Sequence, residues 1–180
     1  MRRDNRGLSL VEIIIVVAIM SIVGGSLIIG IGLATEKPAD ECAAKLQSIL
    51  QSSRLAGMGK LDNRVEIYVK DDGYIYVLEK VKVATGNGAD DYKYQETETR
   101  ISERGITIEY ILADNNTPIT LDKDSAPLIL SFDRSSGAFK DLSLMGPGYS
   151  GKYCYKIIIT KGTRVRVLTL ARLTGKVTVE

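Results

Sequence analysis

From Ile13 to Ala34 the chain carries no ionisable side chain, and Glu12 is the one charge in the apolar run LSLVEIIIVVAIMSIVGGSLIIGIGLA that begins at Leu8. A helix rises about 1.5 Å per residue, so a run of this length predicts a span across a hydrocarbon core about 30 Å thick. A secretory signal has an apolar core of roughly 7 to 15 residues closed by a small-residue cleavage site. This run is too long for one and has no A-x-A site behind it. The credible processing point is the Gly7 to Leu8 junction ahead of the run, and cutting there leaves the helix on the mature protein. Arg2, Arg3 and Arg6 in the leader bias that end toward the cytoplasm and the remainder outward.

The segment RGLSLVEIIIVVAIM resembles the leader of type IV pilins and pseudopilins. In that family a prepilin peptidase cuts after a glycine and methylates the new amino terminus. Gly7 matches the glycine before the cut, Leu8 the new first residue, where phenylalanine is usual, and Glu12 the glutamate at the fifth mature position. A carboxylate in hydrocarbon costs at least about 2.5 kcal/mol and tends to be paired. The resemblance implies that Glu12 pairs with the free amine of Leu8 on a neighbouring subunit and so sets axial register. The alternative is that Glu12 sits only one turn into the helix, at headgroup depth near the positive end of the helix dipole. Gly24, Gly25, Gly30 and Gly32 break up the second half of the run, either as a small-residue packing face or as a stretch able to extend.

Past the anchor the composition becomes that of a soluble domain. The division expected is a leader over 1–7, a transmembrane and assembly helix over 8–35, and one globular head over 36–180, too short for two ordinary domains. Pro38 marks the junction, either kinking a continuous helix or opening a new one. Cys42, Leu46, Ile49, Leu50 and Ser53 follow helical spacing and predict an amphipathic helix ending near Gly57 or Gly59. Thereafter come short β-branched and aromatic runs: VEIYV, YIYVLEKVKV, ITIEYIL, LILSF, GAFKDLSL, YCYKIIIT, RVRVLTLA and KVTVE. Turns are expected at Asp71 to Gly73 and at Lys161 and Gly162, and the acidic stretch TGNGADDYKYQETETRISE, with Asp90 and Asp91, reads as a solvated loop. The expected fold class is α+β, a long amino-terminal helix continuing into an amphipathic helix packed on an antiparallel sheet; the resemblance implies a pilin fold.

Phe132, Gly137, Thr174, Gly175, Lys176 and Val177 make the carboxy-terminal half similar to minor pilins of the pseudopilin H and FimT group. Charge is uneven although the whole chain is only +2. In the last segment Lys152, Lys156, Lys161, Arg164, Arg166, Arg172 and Lys176 stand against the single acid Glu180. Arg164 and Arg166 share one strand face, which suits either nucleic acid with salt-dependent binding or the acidic part of a neighbouring subunit. Tyr149, Tyr153 and Tyr155 are the only aromatics near that stripe. Cys42 and Cys154 are the only cysteines and read either as a disulfide across the domain or as two buried thiols. There is no histidine, and no G-x-S-x-G, Walker A or paired-cysteine zinc pattern. The expectation is a non-enzymatic minor pilin or pseudopilin with no cofactor. Partners implied by the resemblance are other pilin subunits, the prepilin peptidase, an inner-membrane platform protein and membrane lipid before assembly. Competing readings are a DNA-capture subunit and a membrane-anchored binding domain that never polymerises.

Overall fold

A computed structural model describes residues 10–58, 62–85 and 92–180, with Leu10, Glu12 and residues 21–36 described as backbone alone. The chain divides into two compact units, Met1–Lys37 and Pro38–Glu180. Helix α1, Leu10–Gly57, contributes to both, and Pro38 lies inside it rather than at its start. The described part of the first unit carries Ile, Val and Met around the helix without a polar face. Among the described residues no helix is long and apolar enough to cross a membrane, so the span expected over 8–35 is not established by them.

In the second unit α1 becomes one-sided. Ala39, Cys42, Ala43, Leu46 and Leu50 are fully buried and Ser53 nearly so, the three- and four-residue steps of one helical face. The opposite face carries Glu41, Lys45, Ser48 and Ser52 in solvent. The helix stops at Gly57, where the Asn63 amide donates to the carbonyl of Ser53 and satisfies one of the acceptors that a helix end leaves open.

Two antiparallel sheets pack against this face. The first contains β1 (Asn63–Val69), β2 (Ile75–Ala84), β3 (Tyr92–Arg100) and, after β4 (Thr107–Leu112) and β5 (Asn115–Thr120), β6 (Leu128–Ser131), in the order β3-β2-β1-β6. The second orders β5 and β4 beside β7 (Cys154–Lys161), β8 (Arg164–Ala171) and β9 (Lys176–Val179) as β5-β4-β7-β8-β9. Alternate residues of each strand supply the core: Val65 and Ile67, Ile75 and Val77, Ile108 and Tyr110, Ile157 and Ile159, Leu168 and Leu170. Polar contacts fix the helix to both sheets. Gln47 Nε2 donates to the Val177 carbonyl at 3.0 Å in β9, and the Ser53 hydroxyl donates to Glu79 in β2.

The α+β class holds, but as two sheets instead of one. The β1–β2 turn falls at Asp71 to Gly73, where Gly73 has φ 76° and the Asp72 carboxylate accepts from the Tyr74 amide at 3.0 Å. Two expectations are corrected, and one strand that the sequence reading did not propose is added. Tyr92–Arg100 is a strand, not a loop; it lacks apolar alternation because nearly all of it is exposed on both faces, and its conformation is imposed by nine register pairs with β2. Asn115–Thr120 is also a strand, at a sheet edge where Pro118 is tolerated. GAFKDLSL forms only the bridge between Phe132 and Phe139, followed by the 3-10 turn Ser143–Met145.

Candidate functional site

The first unit presents apolar side chains in every direction described. Val11, Ile13, Ile14, Ile15, Val16, Val17, Ile19 and Met20 are all exposed, Met20 at 70%. A helix that is hydrophobic all round needs lipid or other helices to cover it. The positions expected to direct processing, Gly7 and Leu8, precede the described residues, and the Glu12 side chain lies outside them, as do Asp90 and Asp91.

In the second unit, two residues beyond Pro38, Asp40 receives both arginines singled out from the sequence. Arg166 Nε stands 2.5 Å from Asp40 Oδ1, and Arg164 reaches Oδ1 and Oδ2 at 3.3 Å through Nε and Nη2. Alternation along β8 brings the two guanidiniums to one face, and the half-buried Asp40 of α1 supplies their carboxylate. Hydrogen bonds from Arg166 and then Arg164 hold the Asp40 carboxyl below its ordinary range. A phosphate would compete with Asp40 for both arginines. The tyrosines near that stripe are occupied too: Tyr155 donates to Asn116 at 2.8 Å, Arg172 covers Tyr153 at 3.6 Å, and Tyr149 packs on the core.

Cys42, on the buried face of α1, and Cys154, at the start of β7, are both free and buried. Burial pushes each thiol up to about 12, which leaves almost no thiolate at neutral pH.

The sequence reading overlooked a tyrosine and cation lattice on the solvent face of the first sheet. Tyr68 and Tyr76 stack at 6.2 Å, Lys70 lies 4.2 Å over Tyr76, Arg64 5.0 Å over Tyr94, and Lys82 4.7 Å over Tyr92. Lys80 pairs with Glu66 at 3.0 Å, and Glu98 accepts from Lys70 at 2.7 Å and from Tyr68. The signal was the alternate placement of Tyr68, Tyr76, Tyr92 and Tyr94, visible only once β3 is known to pair with β2. These rings and charges answer one another across the face.

The residues that carried the carboxy-terminal likeness meet at the end of α1. Arg54 Nε donates to the Gly137 carbonyl at 3.2 Å, and Asp133 gathers the amides and hydroxyls of Ser135 and Ser136 to close the turn before it. Gly175, with φ 63°, comes so close to the Gly137 oxygen that a Cβ there would collide with it. Phe132 and Phe139 pack beneath at 5.0 Å. The glycine pattern therefore records a clamp joining helix, turn and final hairpin.

No curated protein sequence and no solved structure matches the chain. One family profile does, that described as the prokaryotic N-terminal methylation motif, over residues 2–28. The exposed apolar helix begins inside that match, and the chain thus carries the amino-terminal signature of type IV pilin-like proteins.

Proposed function

We propose that this chain is a minor pilin or pseudopilin, a structural subunit of a type IV pilus, competence pilus or type II secretion filament. The observation that carries the reading is an apolar helix, uncovered on all described sides, starting within a methylation motif and joined to a compact head. The precursor is anchored in the membrane with its leader cytoplasmic. A prepilin peptidase cuts after Gly7 and methylates Leu8; assembly then exchanges lipid for sister helices, with an inner-membrane platform protein at the base. Glu12, left alone in an apolar bundle, pairs with the amine of Leu8 on the next subunit and selects the axial position.

Processing and assembly are separable in one variant. Glu12→Ala is expected to be cut like the parent and to lose incorporation into filaments made beside it. Unchanged incorporation would instead favour a plain membrane anchor carrying a binding domain.

A further inference from the structure

Leu173 is 80% exposed, the most solvent-exposed large apolar side chain among the described residues. It stands in the β8–β9 turn between Arg172 and Lys176, both in solvent. That turn is held rigid by the Gly175 amide bonding to the Ala171 carbonyl at 2.8 Å and by the close seat of Gly175 on Gly137. Leu55, 67% exposed, and Met58 lie on the adjoining end of α1, beside Arg54. The head therefore ends, away from Pro38, in a preformed apolar knob among cations.

The opposite end holds its complement. A groove there is floored by Val69, Ile106 and Leu121 and edged by Asp71, Asp122 and Asp124. Lys70 and Lys123 also line it, but Lys70 is held by Glu98 at 2.7 Å, so carboxylates prevail at the rim. Topology places knob and groove apart. Strand β8 runs from Arg164, held at Asp40 near the start of this unit, to Ala171 at the knob, a rise of roughly 23 Å at about 3.3 Å per residue. Thr107, in the groove, pairs with Thr160 at the Arg164 end of the same sheet.

We infer that Leu173 of one subunit seats in the Val69, Ile106 and Leu121 groove of a second copy of this chain, with Lys176 against Asp122 and Asp124. A knob and a groove at opposite ends of one molecule make a head-to-tail contact, which propagates instead of closing into a dimer. Such a contact suits an axial repeat, and the inference rests on the filament reading above. It assigns the heads a specific docking pair in addition to the helix.

The test uses the full chain, expressed for assembly, carrying Thr174→Cys, in solvent beside the intact Leu173, and Lys123→Cys, together or singly, and a short bismaleimide crosslinker. Cys42 and Cys154 are buried and their thiols little ionised, so the new thiols react first. The double variant is expected to give a ladder of dimers, trimers and higher species, and each single variant only monomer. A dimer from either single variant would mean a two-fold contact and overturn the pairing. A monomeric double variant that is still incorporated through Glu12 would overturn the docking pair and leave the filament reading standing. Thr174→Cys captured by a different protein would also overturn it, and a parent chain that never enters a filament would remove both.

Discussion

Two residues show how much of this head depends on single atoms. Gly175 has φ 63° and no room for a methyl group against the Gly137 carbonyl, so Gly175→Ala meets both backbone strain and a backbone collision. Left-handed strain alone costs about 1–2 kcal/mol outside glycine, and displacing the clamp adds to it. Denaturant unfolding of the variant should show a loss of at least about 2 kcal/mol, against near-neutral behaviour for Gly148→Ala, where nothing lies in the way. Asp40 makes a pH-dependent contribution of defined sign. Its carboxyl titrates lower in the folded chain than the ordinary 3.8, because Arg166 and Arg164 favour the charged form. The unfolded chain then binds more protons, so the stabilisation is present above pH 3.8 and lost as pH falls through the folded value. The gap in unfolding midpoint between parent and Asp40→Asn should be open at neutral pH and close below pH 3.8; a gap that persists in acid would contradict the pairing.

At the scale of elements, the reading of each segment succeeded where burial imposes a period. Helix α1 beyond Pro38 was visible as Cys42, Leu46, Leu50 and Ser53, and β7 to β9 as alternating apolar runs, because each buries one face. β3 was not visible, since YKYQETETR buries neither face and owes its form to β2, and β5 was masked by Asn115, Asn116 and Pro118. The arginine pair on β8 was legible from alternation alone, whereas its partner Asp40 lies more than a hundred residues earlier and no local pattern connects them. The two cysteines test the packing of α1 against the strands. Both sit in the core, so native protein should resist a thiol-blocking reagent at neutral pH, and unreduced, unfolded protein should take up two labels by mass. Native labelling would mean that the helix face is open, and no label after unfolding would mean a bridge between α1 and β7.

The whole molecule divides its chemistry between a helix that cannot remain bare in water and a head whose own core is complete. Among the described residues, the core that holds Leu46, Ile67, Ile159 and Leu168 is built from residues of the head. The apolar side chains of Val11, Ile13, Ile14, Ile15, Val16, Ile19 and Met20, by contrast, are exposed, which is the physical reason to expect lipid first and sister helices afterwards. The match to the methylation motif over residues 2–28 agrees with a cut ahead of that helix, which would keep it on the mature chain. The decisive measurement is the amino-terminal sequence and intact mass of the exported protein, made with the prepilin peptidase present. The account predicts a chain beginning at Leu8, bearing one methyl group on its amine and retaining the apolar helix. A product beginning beyond Ala34, or one still carrying Met1 to Gly7 in assembled filaments, would contradict it.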